Sequence, residues 1–376
     1  MTVHNLLRRG MDIVALADKS QHDDDNDKPM NPLALMVITL TFLAFLFLMF
    51  TISYTYGHVI PTLCMIETPS AQAYVPVNAA AAPDAPPAYD AVPKPDDEEA
   101  DVLLVQNKPI TTSIRATILH LRAKAGYWSR FRGLSVFLVW NFIRSLITNI
   151  IGAPFMHPIG FAVAAIIAET LLARLHLTWV HIVISEPSTK PWYRRVPPWN
   201  TWKKIAPAVA LLSVCTQITV TMPLLVTGSF GAWKHMQDPE YEPGTGDLYA
   251  SGGQAFFAFL VFIALFVGIQ IPALVTMVRV AASMLPEEDE TIVEFDRSFQ
   301  GRTTPEIIGG QGKIGIVEAW KSYPRTSRIR LLKLMAKVAA ISAAAWMFFV
   351  MVLVAETHLL LGENVGAFMR AVHGRN

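Results

Sequence analysis

Charge is what this chain has least of. Only 16% of its 376 residues are charged, against about a quarter in ordinary soluble domains. Cysteine is scarcer still. Cys64 and Cys215 are the whole complement, which excludes a disulfide framework and any CxxC-type zinc or haem site. No metal and no cofactor are therefore expected. Catalytic motifs are missing as well. Gly309-Gly310-Gln311-Gly312-Lys313 approximates a phosphate loop, but Ile314 stands where GxxxxGK[ST] needs a hydroxyl. The sequence predicts a protein that is not an enzyme. The formal net charge of +1 hides strong segregation and decides nothing about nucleic acid, for which no other feature argues.

The N-terminus lacks the early apolar stretch of a cleavable signal, and its acidic run Asp23, Asp24, Asp25, Asp27 is foreign to transit peptides. The first apolar run reads instead as a retained signal-anchor.

Long apolar runs are abundant. About six recur: Pro32–Tyr54, Leu134–Phe155, Ile159–Ile184, Ile205–Phe230, Ala255–Val280 and Val338–Leu361. Roughly 20 apolar residues in a helix cross the ~30 Å hydrocarbon core. The expected fold is all-α, a polytopic membrane helical bundle of about six transmembrane helices. Its expected layout is a polar tail (1–31), a first span (32–54), a disordered Pro-, Ala- and acid-rich loop (71–110) and a membrane domain (111–376) with an amphipathic interfacial helix and five further spans. The loop cannot bury enough apolar surface to offset chain entropy.

Basic residues alternate between loops. Arg115, Arg122, Lys124, Arg130 and Arg132 follow the first span. Lys190, Arg194, Arg195, Lys203 and Lys204 follow the third. Arg297, Arg302, Lys313, Arg325 and Arg328 follow the fifth. Residues 153–160 carry no Lys or Arg, and 231–254 carry only Lys234. The bias toward the positive side puts loops one, three and five on one face. Within loop one, Thr111–Arg132 has Ile114, Ile118, Leu119 and Leu121 near helical spacing among basic residues. It reads either as an interfacial amphipathic helix or as an extension of the second span.

Charges inside spans mark either a polar pathway or structural glue between helices. Arg144 stands mid-span two; Glu169 and Arg174 stand in span three, and Arg279 in span five. Glu169 and Arg174 are five apart, a poor fit to same-face pairing, so Glu169 is expected to pair with Arg144 across helices. These four residues are the transport-pathway candidates.

Three helix pairs, each enclosing a basic loop, resemble the mitochondrial carrier family. Tyr127–Leu134 (YWSRFRGL) is similar to the stretch that opens that family's even-numbered spans, with a worn version at Arg328–Leu332 two family periods (of about 100 residues) later. Pro272 and Arg279 fall where odd spans carry a proline and basic residues. Leu274 and Met277 occupy the family's acidic and basic gate positions. The resemblance implies three carrier-like helix pairs. The stretches 176–187, 192–199 and 285–299 also resemble uncharacterised fungal membrane proteins sometimes titled ubiquitin-conjugating enzymes. A conjugating enzyme needs an exposed nucleophilic cysteine, and thiols in apolar runs are poor nucleophiles, so that activity is not expected.

Pro86-Pro87-Ala88-Tyr89 matches the PPxY ligand of WW domains, whose aromatic groove grips a preformed extended helix. Glu99, Leu103 and Leu104 match an acidic dileucine sorting signal. Both motifs have readers in the cytosol, which favours an endomembrane address over a mitochondrial one. Two functions follow: a small-solute transporter with the lipid bilayer as its solvent, or a membrane adaptor that recruits a WW-domain ubiquitin ligase.

Overall fold

A computed structural model describes residues 32–68, 73–74, 104–105, 109–155, 157–229, 245–303, 309–310 and 312–361. The N-terminal tail and most of the 71–110 loop, including Pro86, Pro87, Tyr89, Glu99 and Leu103, lie outside these residues. Among the described residues the chain is built from helices: α1 (Pro32–Ile52), α2 (Ile60–Ile66), α3 (Ile114–Ala125), α4 (Leu134–Gly152), α5 (Pro158–Leu171), α6 (Ala173–Ile184), α7 (Trp199–Ser229), α8 (Thr245–Leu265), α9 (Ile271–Ser283), α10 (Ile316–Lys321) and α11 (Arg325–Leu361). Strand pairing is slight. Ala73–Tyr74 (β1) runs antiparallel to Leu104–Val105 (β2), and a single bridge joins Ser185 to Thr291.

Among the described residues five helical stretches are long and apolar enough to cross a membrane, and a sixth crossing is formed if α5 and α6 count as one bent span. Their surfaces agree. Phe47 is 70% exposed, Met347 69% and Ile150 73%, large apolar side chains that a soluble domain would bury and that hydrocarbon accepts. The protein is a multi-pass integral membrane protein.

Two of the expected boundaries differ in detail. The first helical stretch runs beyond Tyr54 to Ile66, through a π-helical segment at Ser53–Val59. Polar Thr55 and His58 lie past the expected end of the span, but the wide π turn keeps the backbone bonded through them, and every residue of α2 is buried. The third span is broken at Leu172, where α5 and α6 meet at 62°. Leu172 has φ −88° and ψ 12°, and neither Pro nor Gly marks the bend in sequence.

The chain forms two compact units. The first comprises α1 and the part of α11 from Ala336 onward. Thr41 donates to Glu356 Oε1 (2.7 Å), while Phe45 stacks on Phe349 with centroids 3.8 Å apart and meets Trp346 edge-on. The falling partner numbers make the two helices antiparallel. The second unit spans Thr55–Met335. Its centre is α6, of which Leu177, Val180, Val183 and Ile184 are fully buried; α4, α7 and α9 pack around it. Glycine has a specific use here. Gly126 (φ +79°) ends α3, and Gly133 (φ +69°) caps α4 where a Cβ would lie 3.2 Å from Trp179.

Candidate functional site

Helix α4 carries Trp140, Arg144 and Thr148, spaced i, i+4, i+8 and so aligned on one face. Across from Arg144, Glu169 of α5 places Oε2 3.7 Å from the guanidinium Nε. The other carboxylate oxygen lies 3.0 Å from Nδ1 of His176, beyond the bend on α6. A carboxylate only accepts, so the imidazole donates from Nδ1. Arg144 also donates to Asn141 Oδ1 (3.2 Å), and the Trp140 ring lies 4.2 Å from that of His176. The inter-helix pairing of Glu169 with Arg144 expected from sequence is therefore present. At 1.5 Å rise per residue, Arg144 lies ~12 Å from the α4–α5 turn and Glu169 ~16 Å, close to the middle of a ~30 Å hydrocarbon slab.

Two polar atoms beside this cluster, Trp140 Nε1 and Thr148 Oγ1, are buried with no hydrogen-bond partner among the described residues. Such groups are rare in folded proteins and call for an explanation. The stripe thus offers a charged pair flanked by two uncommitted polar groups.

The other two pathway candidates stand elsewhere. Arg174 donates twice to the Pro197 carbonyl (2.8 Å from Nε) and lies over the Trp199 ring at 4.4 Å. Arg279 is 6% exposed. It donates to Ala319 O (3.1 Å), Met65 O (3.1 Å) and Ser322 Oγ (2.9 Å), sandwiched between Phe299 and Tyr323. Its role is to join three segments of the second unit. Sequence reasoning passed over Glu67, whose buried carboxylate accepts from the backbone N–H groups of Ile110 (2.6 Å) and Thr111 (3.1 Å), from the Thr111 hydroxyl, and from Arg330 (3.3 Å).

The three basic loops gather at one end of the second unit. Lys124 pairs with Glu186 (3.1 Å), and His120 Nε2 contacts Ile292 O (2.8 Å). Glu186 N–H donates to Glu290 O, and Arg195 donates to Asp289 (3.1 Å) and Ser185 Oγ (2.8 Å). Thr68 binds the same segment by donating from its N–H to Glu294 O and accepting from Asp296 N. Burial pushes the Asp296 carboxyl up, but hydrogen bonds from Ser298 and Gln300 and the Arg279 charge outweigh it and hold the group below the usual carboxylate range.

Between loops three and five lies an open cleft of about 690 Å³. One wall brings Lys190, Arg194, Arg195 and Lys204, and the other adds Arg297. Glu287, Glu288 and Asp289 are its acidic members, and His181 of α6 reaches it from below.

No family model, curated protein or solved structure matches this chain.

Proposed function

We propose that this membrane protein moves a small polar solute along the Trp140–Arg144–Thr148 face of α4. The observation that carries the reading is the charged cluster at mid-membrane depth with two buried, uncommitted polar atoms on either side of it. Ionisable groups in spans typically mark substrate or ion pathways, and a broken helix beside them fits the way transporters expose polar backbone to a cavity. Arg144 and Glu169 would exchange their mutual contact for contacts to the solute. Arg174 and Arg279, committed to backbone carbonyls, would hold the scaffold. The purified chain in liposomes should carry a flux of at least one labelled probe among amino acids, dicarboxylates and inorganic ions, and Arg144→Gln should abolish it while the detergent-solubilised variant still unfolds in one cooperative transition. Flux that survives Arg144→Gln, or parent flux equal to protein-free liposomes for every probe, refutes the reading.

A second reading is favoured by a separate observation. Glu67 ties Ile110 and Thr111 to the end of α2, so the described residues that flank the stretch bearing Pro86, Pro87 and Tyr89 meet at one place, and in an endomembrane orientation set by the basic loops that place would face the cytosol. A WW-domain ubiquitin ligase would reach it there in an endomembrane compartment. Tyr89→Ala should then slow ubiquitylation and turnover of the protein in cells; unchanged turnover removes this role.

A further inference from the structure

We propose that the cleft between the Lys190–Lys204 loop and the segment from Met284 to Thr303 binds a phosphate-bearing anion, presented either by a lipid headgroup or by a free solute. This site lies outside the charged cluster of α4 and α5 and needs no transport to operate.

Four observations carry the assignment. First, five basic side chains face three carboxylates in the cleft lining, an excess of positive charge among the described residues. Second, the three acids balance three of the five bases, and those pairings are unequal in strength. Asp289 is engaged by Arg195, while Glu288 meets Lys190 at 3.8 Å with both side chains largely in solvent, a pairing of small worth that an incoming anion displaces readily. Arg194 makes no side-chain bond among the described residues. Third, Arg195 and Arg297 are fixed before any ligand arrives, the latter by donating to the carbonyls of Pro286 (3.0 Å) and Asp289. Held guanidinium groups match the geometry of phosphate oxygens and lose little freedom on binding it. Fourth, the volume falls within the range of small-ligand sites, and exposed Tyr193 and Trp199 flank the basic loop, the residue types that sit at headgroup level. A cleft at headgroup level would be within reach of lipid phosphates and of phosphorylated solutes alike.

The test uses the full chain in nanodiscs of phosphatidylcholine alone or with phosphatidylinositol 4-phosphate. Inorganic phosphate and glycerol 3-phosphate are added to the first, and binding is read by thermal shift and native mass spectrometry. Saturable binding of the soluble phosphates identifies a solute site. Binding confined to phosphoinositide discs identifies a headgroup site. Lys190→Gln/Arg194→Gln, at exposed positions remote from the packed core, should weaken whichever binding is seen about tenfold, the worth of one charge-assisted hydrogen bond. Glu287→Gln/Glu288→Gln should tighten it, a gain that misfolding cannot mimic. Absence of binding by all probes, or affinities within twofold of the parent in both double variants, would overturn the assignment.

Discussion

Removing the Arg279 side chain should unfasten the second unit. The guanidinium satisfies three acceptors drawn from α2, α10 and the turn after it, at distances of 2.9–3.1 Å, in a site 6% exposed. Arg279→Met keeps most of the aliphatic volume and strands Met65 O, while Ala319 O and the Ser322 hydroxyl keep each other. A stranded buried carbonyl costs about 1–3 kcal/mol, and the lost cation–ring contacts with Phe299 and Tyr323 add about 1–2 kcal/mol, partly offset because a buried cation's own desolvation disappears. A net loss of about 2–4 kcal/mol is expected. For a unit of this size, 1 kcal/mol corresponds to roughly 2 °C, so the variant should melt about 4–8 °C below the parent. Arg279→Lys retains charge but places one ammonium where a fork reached three partners, and should lose about half as much. Tryptophan-fluorescence melting of the detergent-solubilised protein measures both. If Arg279→Met melts within 2 °C of the parent, the joining role is wrong and Arg279 returns to the pathway candidates.

Glu67→Gln keeps a side-chain acceptor but forfeits the charge facing Arg330; a loss of about 3–5 kcal/mol is expected, read as earlier melting and as faster proteolysis between 69 and 108. Asp296 titrates below the usual carboxylate range, so its contribution is complete above that range and is lost as pH falls through the lowered value. Amide protection of residues 298–300 should therefore drop below about pH 4, and Asp296→Asn should remove the drop; protection independent of pH in the parent would contradict this. Single cysteines at Lys124, Lys190 and Arg325, in a background with Cys64→Ala and Cys215→Ser, should all label from the same side of sealed vesicles. Labelling from opposite sides would break the orientation.

Hydropathy made the number and rough placement of the spans legible, because ~20-residue apolar runs have few other fates. The Arg144–Glu169 pair was legible too: two opposite charges in hydrocarbon have strong reason to meet, and the five-residue offset of Arg174 sent Glu169 elsewhere. The partners of Arg174 and Arg279 were not legible, for a physical reason. Their partners are backbone carbonyls of Pro197, Ala319 and Met65, and every residue owns a carbonyl, so no sequence pattern announces such a bond. The bend at Leu172 carries no Pro or Gly to mark it. Glu67 carries no signal in the sequence because its partners Ile110 and Thr111 lie more than 40 positions away. The cleft unites loops about 100 residues apart, and only tertiary contact brings them face to face.

The knot at Glu67 fastens the chain just before residue 69 to the chain just after residue 108. The β1–β2 rung makes a second fastening at Ala73 and Val105. Because closing such a noose grows costlier only with the logarithm of its length, evolution can lengthen, shorten or rewrite what hangs there without disturbing the rods beneath. Anything that tugs on the noose, however, pulls directly on the end of the first rod.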